Sequence, residues 1–100
     1  MLFVIHAIDK PDSLELRMKT RPAHLDYLTA AGPQVVVAGP TLTDDGVGMN
    51  GSVLIVEAAD RAGAEDFARN DPYAKAGLFQ NTTILPWRKV FFNPPRDAAR

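Results

Sequence analysis

Along the chain, stretches where apolar residues run together or alternate give way to stretches where they recur every three or four residues. The first kind predicts strands and the second predicts helices. Residues 2–8 read as the first strand, rich in β-branched and aromatic residues. Phe3, Ile5 and Ala7 fall on one face, and Leu2, Val4, His6 and Ile8 on the other. Both faces are apolar, as in a strand covered on both sides. His6, the polar exception, reads as a hydrogen-bonded interior residue or as part of a cavity wall.

Helical spacing follows from residue 12 to residue 31. Leu14, Met18, Leu25 and Leu28 gather into a stripe that is expected to face the core, with Arg21 inside it. Arg17 and His24 lie along one edge of that stripe, an arrangement suited to a helix that borders a cleft. The plain alternative is that Arg17 and Arg21 lay their stems on the core and their heads in water. Asp12 or Ser13 is expected to cap the helix, with Glu15 three residues after Asp12 as in a capping box. Pro22 removes one backbone hydrogen bond, which predicts a kinked helix or two abutting pieces. Gly32-Pro33 ends it.

Residues 35–38 form the second expected strand, punctuated by Gly39-Pro40. Asp44-Asp45 reads as a solvated loop tip and Asp45-Gly46 as a hairpin signal. Residues 51–57 are then a third strand, antiparallel to the second. Asp60 is placed to cap a second helix through Ala64 and Phe67, which Asn70-Asp71-Pro72-Tyr73 terminates. Residues 74–77 suit a short helical turn. Residues 79–92 give the last strand, where Pro86 implies an edge, a bulge or a break. Trp87 is expected to be packed.

The order β-α-β-β-α-β is the ferredoxin-like α+β arrangement, a four-stranded antiparallel sheet with two helices on one face. The apolar second face of the first strand calls for cover. A second copy closing sheet against sheet gives a homodimer, a dimeric α+β barrel. Residues 1–92 are expected to form the domain and residues 93–100 a flexible C-terminal tail.

Composition narrows the chemistry. The 100 residues allow one domain, and the net charge of −1 lacks the clustered basic surface that nucleic acid requires. Without cysteine there is no disulfide, thiolate nucleophile or Cys-type zinc site. No apolar run is long enough for a membrane span, and the N-terminus lacks signal-peptide features. A cytoplasmic protein that does not act on nucleic acid or membrane is expected.

Few residues remain to carry chemistry. His24 sits in Arg21-Pro22-Ala23-His24-Leu25, and Asp71 precedes Pro72-Tyr73 on a turn at the sheet's edge. With both crossover helices on one face, these two turns can meet. A carboxylate on one imidazole nitrogen fixes the tautomer and leaves the other nitrogen to move a proton. On spacing alone, an Asx-type turn before proline is the better account of Asp71. His6, His24 and Asp71 together are a conceivable three-ligand metal set, but their spacing carries no ligand signature, so no metal is assigned. Ser52 reads as a strand-start residue, and no nucleophile motif is present.

Several segments together resemble the YCII-related (YciI-like) family. They are the run from Ile5 through Asp9-Lys10-Pro11-Asp12 to Leu14, Arg21-Pro22-Ala23-His24-Leu25, Ala38-Gly39-Pro40, Gly51-Ser52, Asp71-Pro72-Tyr73 and Leu85-Pro86-Trp87-Arg88-Lys89-Val90-Phe91. The resemblance runs from residue 1 to about residue 92 and implies a dimeric α+β barrel. It also implies a His24–Asp71 catalytic pair in a cleft, with Arg21, Gly39, Ser52 and Tyr73 lining the substrate pocket. Some relatives resemble lyases that act on chlorinated hydroxyquinones. The expected function is therefore cofactor-free acid–base chemistry, of lyase or isomerase type, on an unidentified small molecule. The alternative is a non-catalytic, ligand-binding or accessory dimeric module.

Overall fold

The computed structural model describes residues 1–94. Its elements are β1 (Leu2–Asp9), α1 (Leu14–Ala31), a 3₁₀ turn (Gly32–Gln34), β2 (Val35–Leu42), β3 (Met49–Glu57), α2 (Arg61–Arg69), α3 (Pro72–Lys75) and β4 (Phe79–Trp87). The strands form one sheet in the order β2-β3-β1-β4. Every neighbouring pair is antiparallel. This is the expected ferredoxin-like α+β fold. The expected tail begins at residue 93, and from residue 95 onward it lies outside the described residues.

The core lies between the sheet and its helices. Phe3 and Ile5 of β1 and Leu54 and Val56 of β3 meet Ala64 and Phe67 of α2. Tyr27, Leu28 and Ala31 close the cluster from the C-terminal half of α1. Asp60 caps α2 as expected, its side chain accepting from the Gly63 N–H. The same face of β1 continues past Ile5 to Ala7 and Asp9, so its final buried position is a carboxylate.

Helix α1 departs from expectation in three ways. Leu14, Met18 and Leu25 are 48%, 46% and 40% exposed, whereas Arg17 and His24 are the buried residues of the helix. The helix is thus turned so that its polar edge meets the sheet, because Asp9 and Asp71 offer those two side chains buried partners. Neither expected cap forms: Asp12 takes a positive φ of 56°, and Ser13 donates back to the Pro11 carbonyl. The helix also runs unbroken through Pro22, so the lost hydrogen bond does not divide it. Gly32 ends the helix with φ 63°, a conformation glycine adopts without strain.

The strands differ in extent. β2 continues through Gly39-Pro40 to Leu42, which an edge strand permits because proline's missing N–H can face outward. β4, the other edge, carries Pro86 and stops at Trp87, short of residue 92. Gly51 of β3 has no room for a side chain, since a Cβ there would lie 2.5 Å from the Ala7 carbonyl oxygen.

The sheet's second face is open in the protomer. The register places Leu2, Val4, His6 and Ile8 of β1 beside Val53 and Ile55 of β3 and Leu85 and Trp87 of β4. His6 is exposed there, not interior. Trp87, expected to pack near a dimer interface or a pocket mouth, is 37% exposed in the protomer and lies on this open face.

Candidate functional site

The N-terminus of α3 sets the position of Asp71. Its backbone is extended, with φ −62° and ψ 131°, as a residue before proline should be. Pro72 then starts the helix where no N–H is needed. Asp71 Oδ1 accepts the Tyr73 N–H at 2.9 Å, so the Asx-type turn is real. The carboxylate also holds His24. His24 Nδ1 lies 2.9 Å from Oδ1 and 3.0 Å from Oδ2 of Asp71. The turn therefore orients the carboxylate, and the carboxylate orients the imidazole.

Because an ionised carboxylate only accepts, Nδ1 carries the proton and donates it, leaving a lone pair on Nε2. Among the described residues Nε2 has no partner. Among the described residues, no fully buried side-chain nitrogen or oxygen lacks one, so Nε2 must reach accessible space. His24 is 7% exposed and borders a cavity of about 130 Å³, whereas Asp71 stays behind it and does not line that cavity. The Tyr73 ring stacks on the imidazole, with centroids 4.0 Å apart and planes 20° from parallel.

The residues expected in the pocket are brought together. Arg21, Gly39, Ser52 and Tyr73 all line the cavity with His24. Ser52 and Tyr73 are 3% and 1% exposed, while Arg21 is exposed at the rim. Leu25 and Leu28 of α1 and Ala38 and Pro40 of β2 supply an apolar wall. The metal alternative fails geometrically, since His6 projects from the opposite face of the sheet. Among the described residues, no group of three His, Cys, Asp or Glu side chains could hold an ion.

Sequence reasoning missed the second half of the polar cluster. Arg17, 2% exposed, donates from Nε to Asp9 Oδ2 at 2.7 Å and from Nη2 to Asp9 Oδ1 at 3.0 Å. A further Nη2 hydrogen bond of 2.8 Å reaches Ser52 Oγ. The guanidinium carbon lies 4.4 Å from the Tyr73 ring centroid. One signal was available. Continuing the alternation Phe3, Ile5, Ala7 by one step places Asp9 on the buried face, where a carboxylate demands a cation.

Burial raises the pKa of the Tyr73 phenol above its ordinary value, although the Arg17 and Arg21 charges oppose that shift. Burial raises that of Tyr27 too, with the negative Asp71 adding to the effect. Both phenols are therefore neutral in the working range, and Tyr27 donates to the Phe67 carbonyl at 2.8 Å. A larger, open depression of about 570 Å³ includes His6, Lys10 and Asn50. Its one buried ionisable group, Asp9, is already engaged by Arg17.

Comparison with known proteins places this geometry among relatives. The YCII-related domain matches residues 1–88, which include every residue lining the cavity. Protein YciI of Escherichia coli O6:H1 is 39% identical over 98 residues, covering 91% of this chain and 100% of that protein. The 5-chloro-2-hydroxyhydroquinone dehydrochlorinase (TftG) of Burkholderia phenoliruptrix AC1100, solved in complex with 2,5-dihydroxybenzoquinone, is 43% identical. It superposes with a TM-score of 0.81, over 88% of this chain and 94% of that one. An antibiotic biosynthesis monooxygenase at 18% identity has a TM-score of 0.54, covers 90% of this chain and 99% of its own, and shares the fold. Among the described residues, no helix is long and apolar enough to cross a membrane.

Proposed function

The chain belongs to the YCII-related family, and on that premise we propose that its cavity is the active site of a small-molecule enzyme in which His24 moves a proton. One observation carries this reading. The imidazole is held at Nδ1 by both oxygens of a buried carboxylate, Nε2 is left without a partner among the described residues, and the residue borders the cavity. The lone pair on Nε2 takes a proton from an O–H or C–H of the substrate. The imidazolium that forms keeps its Nδ1–H on Asp71, whose charge stabilises it.

The electron pair left on the substrate then has two outlets. It can expel an anion from an adjacent carbon, which completes the loss of HX once the imidazolium passes its proton to water. Alternatively it moves to a neighbouring carbon, which takes the same proton back from Nε2 and completes an isomerisation. The likeness to a dehydrochlorinase supports the first outlet.

The test uses 5-chloro-2-hydroxyhydroquinone and follows chloride release. Positioned acid–base groups contribute about 10²–10⁴-fold, so His24→Gln should lose turnover by that factor. Wild-type turnover in that variant would refute the proton-transfer role. Binding with no turnover in the native protein would favour a ligand-binding module instead.

We further propose that the open sheet face is covered by a second copy of the chain. Val37, Leu85 and Ile8 are 57%, 52% and 43% exposed, and the register puts them on that one face. Light scattering should give a dimer, and Leu85→Glu, which sets a charge on that face, should give monomers. A native monomer would exclude the pairing.

A further inference from the structure

The polar groups that face the cavity have an uneven character. Arg17, Arg21, His24, Ser52 and Tyr73 line it, and no carboxylate does. Each buried carboxylate of the cluster lies behind a cation or an imidazole, with Asp9 on Arg17 and Asp71 on His24. What remains in front is the lone pair on His24 Nε2 among side chains that can all donate, since Arg17, Arg21, Ser52 and Tyr73 each carry a donor.

Arg17 is the strongest of those donors. Its Nε proton and both Nη2 protons are engaged by Asp9 and Ser52. Among the described residues the two Nη1 protons have no acceptor, and Nη1 is not among fully buried unsatisfied atoms, so it reaches accessible space. The cavity shared with His24 is the one Arg17 lines. Ser52 Oγ accepts from Arg17, which leaves the Ser52 proton free to be donated beside Nη1. A guanidinium fixed by three hydrogen bonds holds its remaining N–H groups in place at no further cost in side-chain freedom.

We infer that Arg17, together with Ser52, holds a negatively charged oxygen of the substrate, whether it enters as an anion or forms when His24 takes the proton, and that the cavity prefers small acidic ring compounds in their anionic form. This rests on reading the cavity as the active site. The cavity, about 130 Å³, is slightly smaller than the apolar cavity of about 150 Å³ that takes up benzene, so a single six-membered ring is about the largest group it can enclose. Arg21, exposed at the rim, steers an anion inward but is screened by solvent and salt.

The probe is 2,5-dihydroxybenzoquinone, whose hydroxyls are vinylogous acids, compared with the neutral ring hydroquinone by calorimetric titration. The native protein should bind the anion at least tenfold more tightly. A buried charge-assisted hydrogen bond is worth about 10- to 100-fold, so the double variant Asp9→Asn/Arg17→Gln should lose that factor for the anion and none for hydroquinone. Exchanging both members avoids leaving Asp9 charged without a partner. Ser52→Ala, a milder change, should lose about threefold or more for the anion, and it keeps the test decisive if the double variant does not fold. Arg21→Gln should lose less than the Arg17 variant and lose least at high salt. The inference is overturned by equal native affinity for the two probes, by anion affinity unchanged in a folded Arg17 variant or in Ser52→Ala, or by a larger loss in Arg21→Gln. His24→Gln separates the two readings. Anion binding kept with turnover unchanged would sink the proton-transfer role and leave the anion site standing.

Discussion

Asp9–Arg17 and His24–Asp71 are two buried pairs hung from the same helix, two turns apart, with the Tyr73 ring against both basic members. Their burial is nearly the same: side-chain exposures are 2% and 5% for Arg17 and Asp9, and 9% and 3% for His24 and Asp71. Their chemistry is not. A guanidinium does not give up its proton in a protein, so the first pair is a fixed charge. An imidazole, unlike a guanidinium, can give up a ring proton and take one back, so the second pair is a movable one. Two pairs that match in packing therefore separate into a fixed charge and, on the proposed reading, a reacting pair, and each can be broken to show which is which.

The largest effect should follow from breaking the fixed pair. Arg17→Ala leaves the Asp9 carboxylate buried without its cation, a change that costs about 3–5 kcal/mol. Urea unfolding should show that loss. His24→Ala should cost about 1–2 kcal/mol, within the ordinary range for a single substitution, because Asp71 keeps the Tyr73 N–H and the new space opens on the cavity. Equal losses in the two variants would erase the distinction between anchoring and reacting pairs.

The movable pair should show the reverse pattern in turnover. Asp71→Asn keeps the shape but replaces an obligate acceptor with an amide that can also donate, so the Nδ1–H tautomer is no longer enforced. About tenfold or more should be lost from kcat, given the 10²–10⁴-fold range of the whole acid–base group, with little change in unfolding midpoint. Chloride-release kinetics beside urea titration would check both halves. A variant that loses stability and keeps kcat would assign Asp71 to the α3 cap alone.

Legibility in the sequence follows the same division. The strands and helices could be read because apolar period and turn chemistry agree, as at Asp45-Gly46, Asp60 and Gly32-Pro33. The βαββαβ order allows the His24 and Asp71 turns to meet, but spacing alone favours an Asx-type turn for Asp71, and it is the resemblance to the YCII-related family that implies the pair. The rotation of α1 could not be read from periodicity. Leu14, Met18 and Leu25 suggest the buried stripe, yet Arg17 and His24 are the residues inside. A helix buries whichever face finds its partners, and here those partners are Asp9 and Asp71, carboxylates far from α1 in sequence or on another element. Strand ends were illegible for a related reason. Pro40 halts a central strand but not an edge one, and edge status is fixed only when all four strands are ordered.

The smallest effect concerns Tyr73, which touches both pairs. Its phenol pKa is raised in the folded protein, chiefly by burial. Unfolding releases that phenol to its ordinary value near 10. Above about pH 10 the unfolded chain thus ionises first and binds fewer protons than the native state, so stability falls as pH rises. The contribution is complete below pH 10 and is lost as pH climbs through the raised folded value. Tyr27 adds a parallel loss for the same reason. Tyr73→Phe keeps a ring against His24 and Arg17 but removes the ionising group. The stability difference between the native protein and this variant should stay constant from pH 7 to about pH 9 and then shift in favour of the variant. Urea midpoints across that range would measure it. A difference that stays flat above pH 10 would mean that the phenol already meets water freely in the folded protein, and that the two pairs it touches are less shielded than their exposures indicate.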